Sequence, residues 1–209
     1  MRLGIACREG PPPPEVVDLL EAADLAVPGL RTAEGPRLLS SGDDMWMLAA
    51  DADVLTACAR GVLDAGVVGK DVLLELAPQV HELLDLRAYP DVLVLALPAP
   101  GRAAPRSRLR VATRYPHITR RHIAASGRQA HVLEFRAATL APALGLADGV
   151  VELQSMLDVA GSPEIEGLEV REQVAVCSAR LVAGRAARAL AGQQLADAVE
   201  RLRDLVGSG

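Results

Sequence analysis

Gly69, Lys70 and Asp71 follow the apolar stretch "AGVV", and Lys70 is the single lysine among 22 basic residues. A strand that stops at a glycine and turns into a helix offers backbone N–H groups and the positive end of the helix dipole to an anion. Lys70 would add a point charge suited to phosphate, and Asp71 could cap the helix. The plainer reading is a strand-to-helix turn in which Gly69 takes a positive φ and Lys70 sits in solvent. On that reading the rarity of lysine reflects an arginine-rich composition.

A second stretch, "LRVATRYPHITRRHIAASG", has the same layout. Its strand runs into Thr113, Arg114 and Tyr115, and Pro116 suits the first position of a helix. Thr119 falls in the first helical turn, with Arg120 and Arg121 behind it. At the carboxyl end of a strand Thr113, Arg114 and Tyr115 could face a nucleotide; the alternative is a solvated basic helix face. His117 and His122 read as surface or hydrogen-bonded residues. A third stretch, "GVVELQS", places Glu152 at a strand's exit and the Ser155 hydroxyl just past it.

These residues need strands and helices in alternation to carry them. Strands are expected at 2–7, 45–50, 65–70, 91–99, 109–113, 130–135 and 149–153, and one or two between 170 and 184. Helices are expected over "EVVDLLEAADL", from Asp51 or Asp53 onward, over "DVLLEL", "ITRRHIAASG" and "LAPALGLAD", and in an amphipathic C-terminal segment with Leu190, Leu195, Val199, Leu202, Leu205 and Val206 on one face. Such alternation implies an α/β fold with parallel sheets. The stretch "PAPGRAAPRS", 98–107, is the most linker-like. It divides the chain into two lobes near residue 98, and a cleft between lobes is the default ligand site.

Composition narrows the classes. Half of the 209 residues are apolar but only 2% are aromatic, so the core must be built from Ala, Val and Leu. A net charge of −5 argues against a nucleic-acid surface. Cys7, Cys58 and Cys177 are scattered without metal-ligand spacing, so no metal site is expected. The amino terminus lacks the apolar region of a signal peptide and no apolar run would span a membrane, which reads as a cytoplasmic protein without a membrane partner.

Taken together, "GVVGKDVLLE", "RVATRYPHITRR", "LAPALGLADGVVEL" and "SARLVAGRAA" occur in the order and spacing of one family. The chain resembles ATP phosphoribosyltransferase, the first enzyme of histidine biosynthesis, over about residues 60–206, and its length resembles the short form without a C-terminal regulatory domain. The resemblance implies a two-lobed, periplasmic-binding-protein-like (type II) fold, with lobe I at 1–97 and 174–209 and lobe II at 98–173. It implies ATP and phosphoribosyl pyrophosphate (PRPP) as substrates, Mg²⁺ entering with PRPP, and N1 of ATP attacking the anomeric carbon as pyrophosphate leaves. It also implies a homodimer or a hetero-octamer with a regulatory subunit resembling histidyl-tRNA synthetase. Gly69, Lys70, Asp71, Thr113, Arg114, Tyr115, Glu152 and Ser155 are the substrate-binding candidates.

Four segments depart from the family pattern. The phosphate loop after Glu152 reads "QSMLDVAGSPEIEG" in place of a Thr-Gly-x-Thr turn, with Ser155, Gly161 and Ser162 out of register, Asp158, Glu164 and Glu166 adding negative charge, and Pro163 lacking a donor. Glu9, Gly10 and Pro11 replace a Lys-Gly-Arg turn. Ala49, Ala50 and Asp51 occupy a stretch where the family carries arginine. Arg136, Ala137, Ala138 and Thr139 replace a Gly-Ser-x-Glu run. Each change removes a donor or cation, or adds an anion, where polyphosphate should bind. Two expectations follow: a divergent catalytic subunit using Arg8, Lys70, Arg114 and Arg120, or a non-catalytic paralogue acting as a binding or regulatory subunit. A small-ligand binding protein with the same cleft rests on fold analogy alone.

Overall fold

The computed structural model describes residues 1–7, 10–76, 79–99, 108–158, 167–185 and 192–207. Contacts divide the chain into one unit of Met1–Pro90 with Ser178–Gly209 and another of Asp91–Cys177. Elements are numbered in chain order. The boundaries expected at 97/98 and 173/174 fall inside two strands, β6 (Asp91–Pro98) and β10 (Leu168–Cys177). These pair antiparallel from Leu168 opposite Pro98 to Cys177 opposite Asp91. Strands laddered along their whole length belong to one sheet, so the division moves to the single-chain crossings at 90/91 and 177/178. Of the linker-like stretch, 100–107 lies outside the described residues.

The first unit contains β1 (Arg2–Ala6), α1 (Pro14–Ala22), β2 (Arg37–Ser41), β3 (Asp44–Ala49), α2 (Asp51–Ala59), β4 (Ala65–Gly69), α3 (Lys70–Leu76), β5 (Val80–Asp85), β11 (Ala179–Gly184) and α6 (Gly192–Gly207). Its sheet runs β2-β3-β1-β4-β11-β5. The β3, β1 and β4 strands are parallel, whereas β2, β11 and β5 join antiparallel, so the sheet is mixed rather than parallel as expected. The β2 strand is a new element; its residues are mostly exposed, so no alternating apolar pattern marks it.

Pro14 opens α1, its fixed φ suiting the first helical position. The helix ends in a Schellman turn: Asp24 takes φ 55°, and the Leu25 N–H donates to the Leu20 carbonyl at 2.8 Å. Val16, Val17 and Leu20 on α1 and Leu195 and Leu202 on α6 are buried in one core with Leu3, Ile5, Trp46 and Leu181. Each such aliphatic side chain contributes about 1.5–3 kcal/mol by leaving water. Leu205 of the expected stripe is 38% exposed, and Leu190 lies outside the described residues. On the other face α2 seats Val54, Leu55 and Cys58 against Leu63, Val68 and Val182. The backbones approach so closely there that a Cβ on Gly184 would lie 1.9 Å from the Cys58 carbonyl oxygen.

The second unit contains β6, β7 (Leu109–Thr113), α4 (Pro116–Ala125), β8 (Ala130–Glu134), β9 (Gly149–Leu153), α5 (Gln154–Leu157) and β10. Its sheet order is β10-β6-β9-β7-β8, with β9, β7 and β8 parallel and β6 and β10 antiparallel. One core patch is almost all alanine: Ala96, Ala112, Ala138, Ala141 and Ala147 around Val150. Small residues let backbone pack where aromatics are scarce. The helix expected over "LAPALGLAD" is instead a single 3₁₀ turn, Ala138–Leu140, followed by turns. Pro142 has no N–H to continue a helix, and Gly145 takes φ 68°. The short helix α5 was not expected.

Candidate functional site

The candidate residues fall in both units, each group at the carboxyl ends of parallel strands, where α/β sheets hold ligands. Gly69, Lys70 and Asp71 belong to the first unit. Thr113, Arg114, Tyr115, Glu152 and Ser155 belong to the second.

In the first unit Gly69 is the last residue of β4 and does not take a positive φ. Its N–H donates to Asp51 Oδ1 at 2.8 Å, and the Lys70 N–H donates to the Ser178 carbonyl at 3.0 Å. Both amides expected to face an anion are therefore occupied. Asp51, at the start of α2, is only 7% exposed, and its carboxylate pins the β4–α3 turn. Asp71 sits in the first turn of α3 and is buried. Lys70 Nζ reaches Glu82 Oε2 on β5 at 2.6 Å, so the lysine has a counter-charge instead of standing free in solvent.

That pair joins a wider network. Arg180 on β11 places Nε 3.6 Å from Glu82 Oε1, and its Nη1 pairs with Asp85. The Ser178 hydroxyl and the Arg87 N–H donate to Asp85 Oδ1 at 2.8 and 2.9 Å. Burial alone would raise the Asp85 pKa, but these two donors and the Arg180 guanidinium hold it below the ordinary carboxylate value. Two cations and two carboxylates thus form a neutral chain, Lys70–Glu82–Arg180–Asp85.

In the second unit β7 and β9 lie side by side with Thr113 opposite Val151, which sets Thr113–Tyr115 beside Glu152. The fully buried Thr113 hydroxyl donates to the Val151 carbonyl at 2.8 Å and accepts the Tyr115 N–H at 2.9 Å. Tyr115 is 3% exposed, and Pro116 starts α4 behind it. Thr113 and Tyr115 therefore shape the turn, and of the three expected to face a nucleotide only Arg114 keeps an accessible side chain, 33% exposed. Its Nε donates to Glu152 Oε2 at 2.9 Å. Glu152 is buried completely, and its other oxygen accepts the Leu153 N–H at 2.9 Å.

Ser155 is exposed in α5, but its hydroxyl donates to Asp91 Oδ2 at 2.6 Å and its N–H to Asp91 Oδ1 at 3.3 Å. A carboxylate from the start of β6 takes the contacts a phosphate oxygen would make. Asp158 accepts from the Gln154 amide at 2.7 Å. Gly161, Ser162, Pro163, Glu164 and Glu166 lie outside the described residues, as do Arg8 and Glu9. Arg120 and Arg121 are exposed on α4. His122, expected to be a surface or hydrogen-bonded residue, contacts Glu172 Oε2 on β10 at 2.8 Å, and Arg128 grips the same carboxylate with two bonds of 2.5 and 2.6 Å. The Arg128 bonds, against a smaller opposing effect of burial, hold the Glu172 pKa below its ordinary value.

Asp51, Glu82, Asp91, Ser178 and Arg180 are the participants that sequence reasoning missed. Of these only Asp51 left a signal, as an acidic residue at a helix start. The other four act across long sequence separations that no local pattern records.

The family model described as ATP phosphoribosyltransferase matches residues 50–204. The ATP phosphoribosyltransferase of Symbiobacterium thermophilum is 38% identical over 210 residues, covering 97% of this chain and 94% of that protein. Among solved structures, the ATP phosphoribosyl transferase (HisG:HisZ) complex from Thermotoga maritima matches with a TM-score of 0.76 at 22% identity, each chain covered completely. The GluR0 ligand-binding core from Nostoc punctiforme matches with a TM-score of 0.58 at 13% identity, over all of this chain and 94% of that one. The fold is the α/β, periplasmic-binding-protein-like (type II) class that the resemblance implied. By a family match over most of its length and a relative of more than one-third identity across nearly all of it, the chain belongs to the ATP phosphoribosyltransferase family.

Proposed function

We propose that the chain joins ATP to PRPP, giving N1-phosphoribosyl-ATP and pyrophosphate, the first step of histidine biosynthesis. The bond from N1 of ATP to the anomeric carbon forms as the bond from that carbon to the pyrophosphate oxygen breaks, and pyrophosphate leaves with the bonding pair. The observation that carries this reading is the near full-length similarity to ATP phosphoribosyltransferases. The comparisons do not favour the alternative, a non-catalytic paralogue acting as a binding or regulatory subunit.

In this reaction the protein's task is to position two polyanions and stabilise charge that develops on the leaving group. Arg114 is the accessible cation at the β7–α4 turn of the second unit, with Glu152 fixing the orientation of its guanidinium. Lys70 is the cation at the end of β4 in the first unit. Thr113, Tyr115 and Asp51 hold the two turns in shape, and Gly69, Asp71 and Ser155 complete the proposed substrate-binding set.

Among the described residues no three His, Cys, Asp or Glu side chains converge on a point that could hold a metal ion. Mg²⁺ is proposed to enter with PRPP, held by the substrate's own phosphates, where it would supply charge neutralisation for the leaving pyrophosphate. Assembly with a regulatory subunit resembling histidyl-tRNA synthetase, as a hetero-octamer, or as a homodimer without it, is likewise proposed. The Thermotoga maritima neighbour is a complex of two named components, which supports the hetero-oligomer. No helix among the described residues is long and apolar enough to cross a membrane, and a cytoplasmic location is proposed.

The test is calorimetric titration of PRPP with Mg²⁺ into the folded chain, alone and with its regulatory partner, followed by measurement of pyrophosphate release on adding ATP. Micromolar binding with ATP-dependent release is expected. Folded protein that gives neither heat nor release in both preparations overturns the catalytic reading.

A further inference from the structure

The lysine at the end of β4 is not simply neutralised; it is held by a carboxylate that has a second place to go. Glu82 touches two cations with its two oxygens. Oε2 accepts from Lys70 Nζ at 2.6 Å, whereas Oε1 lies 3.6 Å from Arg180 Nε, beyond hydrogen-bond length. Arg180 Nε is the one buried side-chain nitrogen or oxygen that lacks a hydrogen bond among the described residues. The Arg180 side chain is only 12% exposed, and its Nη1 is anchored on Asp85, which Ser178 and Arg87 hold from the other side. The guanidinium is thus held, with Nε lacking a hydrogen bond 3.6 Å from Glu82 Oε1. A buried donor left unpaired is costly, and a carboxylate that moves onto it gains a charge-assisted bond.

Lys70 and Glu82 are the mobile partners by contrast. Their side chains are 25% and 36% exposed, and each reaches the other through several rotatable bonds. If a polyphosphate draws Lys70 away, Glu82 needs to close less than 1 Å to hydrogen-bond Arg180 Nε. No carboxylate is then stranded without a cation.

We infer that Glu82 is a positioning residue for polyphosphate binding, which parks Lys70 in the unliganded chain and passes to Arg180 Nε when Lys70 turns to the substrate. The inference rests on the reading of Lys70 as a substrate-binding cation. The exchange softens the competition between Glu82 and the ligand but does not cancel it, because Arg180 already shares its charge with Asp85. Removing the Glu82 charge therefore tightens ligand binding.

The experiment is calorimetric titration of Mg²⁺-PRPP and, separately, of ATP into the wild-type chain and the variants Glu82→Gln, Glu82→Ala, Lys70→Met and Glu82→Gln/Lys70→Met, each shown to be folded by circular dichroism. Lys70→Met is expected to raise the Kd of one ligand at least about tenfold, as for a lost charge-assisted contact. Glu82→Gln and Glu82→Ala are expected to lower the Kd of that same ligand about two- to fivefold, the scale of a partly exposed ion pair. That gain should vanish when Lys70 is already Met, which a merely structural role for Glu82 does not explain. An unchanged or raised Kd in both Glu82 variants, with Lys70→Met still weakening binding, overturns the positioning role and leaves Lys70 as a substrate cation. An unchanged Kd for both ligands in Lys70→Met overturns the inference at its root, while pyrophosphate release separately decides the catalytic reading.

Discussion

Replacing Arg114 by Met removes the guanidinium that bonds Glu152 Oε2 in the middle of a sheet. The Glu152 side chain is 1% exposed, against 33% for Arg114, so the carboxylate has little access to water when the guanidinium goes. At 2.9 Å and an effective dielectric constant of about 20 the gross attraction is about 6 kcal/mol. Arg114 gives up part of its own hydration to make the pair, and water can enter the space it vacates. Breaking a buried pair typically costs about 3–5 kcal/mol, and the partial exposure of Arg114 puts this one near about 3 kcal/mol. Urea unfolding followed by far-ultraviolet circular dichroism measures it; the single tryptophan, Trp46, reports only on the first unit. The pH dependence tests the cause. Losing the Arg114 charge disfavours the ionised form of the buried Glu152 carboxyl, so part of the loss is relieved when that carboxyl takes up a proton as pH falls. The deficit should be full at about pH 8 and shrink toward about pH 5. Arg114→Lys, which restores charge without the planar fork, should recover part of the loss. A deficit below about 1 kcal/mol, or one that is equal at both pH values, refutes the assignment of a desolvated carboxylate held by Arg114.

Two further outcomes are expected. Gly184→Ala should destabilise by at least about 1–3 kcal/mol, seen as a lowered Tm, because the new Cβ meets the backbone oxygen of Cys58, 1.9 Å away, and neither β11 nor α2 can yield by rotating a side chain; an unchanged Tm contradicts the packing described. Asp64, Asp85 and Glu172 all have folded-state pKa values below their ordinary ones, Glu172 chiefly through Arg128, Asp64 and Asp85 because their donors outweigh burial. The stability they contribute is present above the unfolded carboxylate range and is lost as pH falls through the lower folded-state values, so denaturant midpoints should decline below about pH 4.5, less steeply in Glu172→Gln.

The parts of the fold that could be read from the sequence are those whose pattern is local. Val16, Val17 and Leu20 on α1, and the apolar runs of β4, β6 and β9, announce themselves because burial repeats along the element that is buried. The β2 strand does not, since "RLLSS" lies at a sheet edge with neither face sealed. "LAPALGLAD" misleads in the other direction: its leucines fall at helical spacing, yet Leu140, Leu144 and Leu146 are 39%, 63% and 44% exposed. The spacing there is not a record of burial. The candidate site was legible in its strand ends and not in its charges. Lys70 and Ser155 read as free because their partners, Glu82 and Asp91, come 12 positions later and 64 positions earlier. Arg180 is farther still, brought in only because β11 pairs antiparallel with both β4 and β5.

The placement of β11 also orders the birth of the protein on the ribosome. The second unit is one uninterrupted segment, Asp91–Cys177, whose strands have all been synthesised before the chain returns to the first. The first unit cannot be completed then, because the strand between β4 and β5 is, among the described residues, the last of eleven to be made. Until it arrives, one edge of β4 and the facing edge of β5 have no ladder partner, although everything else in the amino-terminal 90 residues has been translated. Unpaired edges of this kind recruit other chains. A chain cut short just before Ala179 therefore carries the whole segment of the second unit and a first unit open at the seam where Lys70, Glu82 and Arg180 would have met.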